Sequence, residues 1–186
     1  MTQKPATYAD LQALPSNQVG EIVDGVLHAS PRPAAPHART ALELAGELRE
    51  PFDRGRSGPG GWLFLLEPEL HLRRDILVPD LAGWRLERMP KIPRVVGITM
   101  APDWLCEVLS PSTARLDRGR KLAAYAREGV KHVWLVDPLQ RTLEVLRLEG
   151  AHYLLMGTHE DVETVRAEPF EAFALELGVL WDDIAE

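Results

Sequence analysis

Two apolar runs of strand length bracket a helix in the second half of the chain, and this order limits the fold more than any other feature. Residues 103–109, Asp-Trp-Leu-Cys-Glu-Val-Leu, read as a strand. Ser110-Pro111-Ser112-Thr113 stops that strand and caps a helix over residues 115–128, which Gly129 closes. Residues 132–136 are again apolar and read as a buried strand. Upstream, Thr7 and Asp10 open a short helix ended at 15–17, and Asp24-Gly25 joins two short strands as a tight hairpin. Ala41, Leu44, Ala45 and Leu48 mark the buried stripe of a helix over 37–50. Strands are predicted at 62–66, 69–72 and 76–84, and residues 86–102 read as loop with one turn of helix. A second hairpin over 141–148 and 152–156 turns at Glu149-Gly150. The tail, 170–181, is apolar enough to pack back onto the body. Helices interleaved with strands and hairpins predict an α/β (α+β) domain with one mixed central sheet. The 186 residues show no repeat and no composition shift, so a single domain over 1–186 is expected.

Charge and cysteine usage narrow the function classes. A net charge of −7 argues against a protein that coats nucleic acid without sequence preference, yet leaves room for an enzyme with a local basic patch. The helix at 115–128 carries such a patch: Arg115, Arg118, Arg120, Lys121 and Arg127, with Lys131 beyond it. These side chains either face phosphates or form a solvated helix face. Cys106 is the single cysteine, which excludes a disulfide within the chain. No secretory h-region and no membrane-length apolar run is present, so a cytoplasmic protein without membrane attachment is expected. The six histidines lack zinc-ligand spacing. Gly58–Gly61 lacks the Lys-Ser/Thr of a phosphate loop, and Ser110 and Ser112 lack the glycines of a nucleophile elbow. Cys106 reads as a core filler. His37, at a helix start near the Glu21 hairpin, could approach the site, but a helix-capping or surface role is preferred.

Two carboxylates stand where carboxylates are rare. Asp80 sits in Ile-Leu-Val-Pro-Asp-Leu-Ala and Glu107 in Trp-Leu-Cys-Glu-Val-Leu, both apolar strand contexts. Pro79 places Asp80 at a strand edge, end or bulge. Acids on neighbouring strands between apolar walls form a hard-oxygen site suited to Mg²⁺. Asp117, Lys121 and Tyr125 recur at four-residue steps on one helix face, and Lys121 is within reach of the two acids. Each residue also has a plainer reading: Asp80 as a turn cap, Glu107 at a sheet end, Asp117 with Lys121 as a surface pair, Tyr125 in the core.

Taken in order, Glu21-Ile-Val-Asp-Gly25, Val78-Pro-Asp80, Glu107-Val-Leu-Ser-Pro-Ser-Thr113, Asp117, Lys121, Tyr125, Gly129-Val130 and Trp134-Leu-Val-Asp-Pro138 form one pattern. It resembles the Uma-two family of restriction-endonuclease-like proteins, similar to a branch of the PD-(D/E)XK nuclease superfamily. The resemblance runs from about Tyr8 to Trp181. It implies a restriction-endonuclease-like fold, a mixed sheet flanked by helices with added β-hairpins. It also implies a DNA endonuclease using Mg²⁺, with Mn²⁺ as substitute. Asp80, Glu107 and the Val108 carbonyl would hold the metal, and Glu21 would add a contact. Lys121 would position the attacking water, leaving a 5′-phosphate and a 3′-hydroxyl. The superfamily lysine falls two residues after the glutamate, where this chain has Leu109, and its role maps to Lys121. A homodimer is expected, as for nucleases that cut both strands. The alternative is a catalytically inactive nuclease-fold module that binds protein or nucleic acid.

Overall fold

A computed structural model describes residues 4–185. Thr7 caps the first helix, α1 (Tyr8–Gln12), in a reciprocal capping box with Asp10. The helix stops there, short of Pro15. The hairpin follows as β1 (Gln18–Val23) and β2 (Val26–Pro31), with Asp24 and Gly25 both at positive φ. The long helix α2 (Ala35–Leu48) buries Ala41, Leu44 and Leu48 and ends in a wider π-type turn, Arg49–Asp53.

Strands β3 (Trp62–Leu66) and β4 (Glu69–Leu72) come next, followed by β5 (Asp75–Leu77) and β6 (Leu81–Arg85). The expected single strand over 76–84 is therefore broken at Val78-Pro79-Asp80. The break has a physical cause: Pro79 has no N–H for a ladder, and the chain uses it to leave one sheet and enter another. The same switch happens across Pro68, between β3 and β4. The expected helical turn in 86–102 is not formed; this stretch holds turns and the short strand β7 (Gly97–Ile98).

Strand β8 (Trp104–Val108) leads to α3 (Ala114–Leu116), a π-type turn over Asp117–Lys121, and α4 (Leu122–Arg127). Then come β9 (His132–Asp137), the hairpin β10 (Thr142–Glu149) and β11 (His152–Glu160), and the short pair β12 (Thr164–Val165) and β13 (Leu175–Glu176). A 3₁₀ turn, Leu177–Leu180, follows them, and the tail packs inward with Phe170, Leu180 and Trp181 buried.

The central sheet has six strands, in the order β11-β10-β9-β8-β6-β3. It is mixed, because β8 and β9 run parallel through the α3–α4 crossover while its other neighbours are antiparallel. A second sheet, β2-β1-β5-β4-β7, and the two-stranded β12-β13 pair stand apart from this mixed central sheet. Each face of the central sheet carries an apolar cluster. Trp62, Trp104, Cys106, Val108 and Trp134 pack with α2 and the tail on one face. Leu105, Leu109, Leu135, Tyr125 and the second sheet pack on the other. Alternation along β8 thus puts Cys106 and Glu107 on opposite faces, as its period of two requires.

Gly83 lies where the first cluster is tightest. A Cβ there would stand 2.8 Å and 2.9 Å from ring carbons of Phe64 and 3.3 Å from Trp104. Phe64 is itself edge-on to Trp104 and Phe170, so its ring has little room to yield. Gly83→Ala is expected to destabilise the fold by about 1–3 kcal/mol through overpacking. A urea melt with an unchanged midpoint would overturn that.

Candidate active site

The breaks and crossovers meet at one cleft. Its lining includes Glu21 from β1, His37 from the first turn of α2, Val78 and Asp80 from the sheet switch, Glu107 and Val108 from the end of β8, and Asp117 and Lys121 from the helical crossover. Each side chain arrives for a local reason. Asp80 is the first residue after Pro79, so its side chain is not committed to strand packing. Glu107 alternates to the face that the crossover covers. The π-type turn carries Asp117 and Lys121 inward together, with only 3% and 2% of each residue exposed.

Lys121 is the hub. Its Nζ lies 2.8 Å from Glu107 Oε1, 3.0 Å from Glu21 Oε1 and 3.2 Å from Asp117 Oδ1. Three carboxylate oxygens thus stand at ion-pair distance from one ammonium, as many as it has N–H donors. Glu107 Oε1 also accepts from the Tyr125 hydroxyl at 2.5 Å, which explains why Tyr125 shares the Lys121 face. Glu21 Oε1 accepts from the Val78 N–H at 2.8 Å, tying the hairpin to the sheet switch. Asp80 is held on both oxygens: Oδ2 accepts from the Val108 N–H at 2.7 Å, and Oδ1 lies 3.2 Å from His37 Nε2.

The electrostatics follow from burial. Desolvation pushes the Glu107 carboxyl well above the usual carboxylate range; Lys121 opposes this, while Asp117, Asp80 and Glu21 add to it. Burial works against the Lys121 charge, but Glu107 and Glu21 overcome it and hold the amine well above its ordinary value. Burial and Glu107 likewise push the Tyr125 hydroxyl up, so it stays a donor. Burial lowers His37, and the hydrogen bond and charge of Asp80 more than reverse that.

Five carboxylates, Glu21, Glu67, Asp80, Glu107 and Asp117, thus line a single cleft with one ammonium and one imidazole. Such a site is short of positive charge, and its donors are hard oxygens, which fits a Mg²⁺-type cation. Among the described residues no group of three or more His, Cys, Asp or Glu side chains forms a ready metal cage. Mg²⁺ does not need one, because it keeps several waters and takes one or two carboxylates. Asp80 and Glu107 are among the hard-oxygen donors of the cleft. Glu21 contributes charge, with Oε1 already bonded twice.

The structure brings Glu21, Asp80, Glu107, Val108 and Lys121 to one cleft. It also corrects the reading of His37, which is 8% exposed and bonds Asp80 rather than capping or facing solvent. The sequence signal is faint: a histidine placed by Pro31, Pro33 and Pro36 at a helix start, next in sequence to the hairpin carrying Glu21. Asp117 reaches Lys121 as a buried partner, not a surface one. Leu109, at the superfamily's usual lysine position, is 2% exposed and packed in the second apolar cluster. An amine there would point into hydrocarbon, whereas the crossover helix delivers one over the carboxylates. The basic cluster is divided. Arg118 pairs with Glu144, and Arg127 with Asp24 and Asp75. Arg115 and Arg120 are not fully buried and make no ion pair among the described residues.

Residues 5–179 match the family described as "Uma2: Putative restriction endonuclease". The chain belongs to the Uma2 family. A crystal structure described as "a putative nuclease belonging to DUF820" from Anabaena variabilis superposes with a TM-score of 0.75 at 22% identity. The match covers 96% of this chain and 98% of that one, and shows a shared fold. This Uma2 protein accordingly has a restriction-endonuclease-like α+β fold. No curated protein matches it. No helix among its described residues is long and apolar enough to cross a membrane.

Proposed function

We propose that this Uma2 protein is a Mg²⁺-dependent endonuclease that hydrolyses phosphodiester bonds in DNA. The observation that carries this reading is Lys121, whose buried ammonium meets Glu107 and Glu21 in the cleft that Asp80 enters from the sheet switch. Asp80, Glu107 and the Val108 carbonyl would hold Mg²⁺, or Mn²⁺ in its place, with Glu21 adding charge. When bound, the ion supplies charge stabilisation at a phosphate oxygen and a lowered pKa for water.

The chain's own residues do the rest. Lys121 stays protonated, so it donates and does not take a proton. To orient a water or meet charge growing on the phosphate, it must release one of its three partners. Asp117, at 3.2 Å, is the longest of them. Attack in line forms a bond from the water oxygen to phosphorus and breaks the bond to O3′; the attacking water gives up a proton to solvent and the departing O3′ takes one from solvent, leaving a 5′-phosphate and a 3′-hydroxyl. The Val108 N–H and His37 hold the Asp80 carboxylate in one orientation throughout. Arg115 and Arg120, on the same crossover as Lys121, are placed to meet flanking phosphates. A cytoplasmic enzyme acting as a two-fold pair suits cleavage of both strands of a duplex.

A specific observation favours a second reading. With Lys121 ion-paired to three carboxylates and Leu109 at the usual lysine position, the fold would serve as an inactive module that binds nucleic acid or protein. Two measurements separate these readings. Millimolar Mn²⁺ is expected to raise the thermal midpoint of the wild type and not that of Asp80→Ala. Plasmid DNA with Mg²⁺ is expected to be nicked by the wild type and left intact by Asp80→Ala. No midpoint rise and no nicking would move the protein to the inactive module.

A further inference from the structure

The two edges of the central sheet are treated differently. At one edge, β11 is bulged: Val145 pairs with Gly157 and Leu146 with Leu155, which leaves Met156 without a partner. A bulge twists an edge away and blunts its pairing. At the other edge, β3 pairs with β6 in unbroken register from Trp62 to Leu66. It carries no proline, no lysine and no bulge, the usual guards of an open edge.

A groove runs along this open edge. Leu42 and Ala45 of α2, Arg49 and Asp53 of the π-type turn that ends it, and Ile92 line its walls, with Leu63 to Leu66 of β3 as the floor. Leu42 is 56% exposed, and Leu66 and Ile92 are each 54% exposed. Trp62 and Phe64 belong to the cluster under α2, while Leu63 and Leu65 pack on the opposite cluster. The strand is therefore apolar on both faces of the sheet, and Arg49 and Asp53 add one charge of each sign to the groove's lining. An added strand presents side chains alternately to both faces, so this is the shape that strand addition fills.

We infer that β3 pairs antiparallel with β3 of a second copy, joining the two central sheets across a two-fold axis. The occupant follows from the strand's own sequence, which is apolar at every position and so complements itself. In the register centred on Phe64, Leu63 faces Leu65 and Trp62 faces Leu66. The nearest charge along the strand, Glu67, meets Gly61, so no like charges oppose within the strand pair. A self-paired edge is isologous and closes at two chains. The proposal rests on the two-fold reading above and not on catalysis. It places the interface beside Asp80, because the Glu67 N–H at the end of β3 donates to the Asp80 carbonyl at 2.9 Å.

Light scattering on the purified chain tests it. The wild type is expected at twice the 20.8 kDa chain mass. Leu66→Lys puts a guard residue at an already exposed edge position and is expected to give a monomer with an unchanged circular dichroism spectrum. Leu42→Glu, on the groove wall, supplies a second variant should Leu66→Lys misfold. Leu154→Lys on the bulged edge is expected to remain dimeric. A monomeric wild type would overturn both the two-fold reading and this surface. A dimeric wild type whose folded Leu66→Lys and Leu42→Glu variants stay dimeric would overturn the surface alone.

Discussion

Lys121→Met is expected to cost about 3–5 kcal/mol of folding stability, the usual penalty for removing one partner of a buried ion pair. The physical reason is the imbalance it creates. Lys121 is the one ammonium among Glu21, Glu107 and Asp117, and its removal leaves buried carboxylates facing each other without a counter-charge. Methionine fills the space and supplies none of the three ion pairs. Nicking should also vanish, because no donor is left beside the phosphate. The stability loss should depend on pH with a definite sign. Glu107 already has a carboxyl held above its ordinary range by burial, and the variant removes the group that pulls it down. A group whose folded pKa is raised favours folding at low pH, and that contribution is lost as pH rises through the folded value. The variant should therefore fall furthest behind the wild type near neutral pH and recover ground as the solution is acidified. Urea melts of both proteins at several pH values read this directly. Equal midpoints at neutral pH would mean that the three ion pairs contribute nothing.

Glu107→Gln is expected to have the opposite balance of effects. Nicking should fall by roughly a thousandfold or more, in line with the loss of a principal charge-stabilising group. Stability without metal should hold or rise. The substituted amide would keep an oxygen for the Tyr125 hydroxyl and for Lys121, the two contacts that Glu107 Oε1 makes. The variant removes a carboxylate that burial, Asp117, Asp80 and Glu21 all work against ionising. Lys121 keeps Glu21 and Asp117, two acids for one amine. The same variant should lose the Mn²⁺-induced rise in thermal midpoint. A sharply lower midpoint in the absence of metal would show instead that Glu107 is the keystone of the cluster and that its charge is needed for folding. Together the two variants separate the amine, which stabilises the cleft, from the acid, which the cleft holds at a cost in stability.

Much of this site is legible from residue context. Asp80 and Glu107 stand out because carboxylates are scarce in apolar strand sequence, and Pro79 marks a place where the chain must leave a ladder. Asp117, Lys121 and Tyr125 announce a shared face by spacing alone. What spacing leaves open is the side to which that face points. The surface pair and the buried hub have the same sequence, and packing of the crossover against the end of β8 decides between them. His37 is hidden from the sequence for a similar reason. Nothing local distinguishes a capping histidine from one that reaches a carboxylate on a distant strand.

The strand expected over residues 76–84 fails because periodicity sees a continuous apolar run and not which sheet each half joins. Val78-Pro79-Asp80 carries the chain between two sheets, and that passage gives Asp80 its freedom to face the cleft.

The sequence by itself determined most of the elements, their order and the residue types available for chemistry, because propensity, capping and hydrophobic period act over a few residues. Only the tertiary structure decided that one amine meets three carboxylates, that Leu109 is sealed in hydrocarbon, and that β3 is an unguarded edge. Those outcomes depend on contacts between residues as far apart as Glu21 and Lys121, and on burial, which sets the strength of every charge in the cleft.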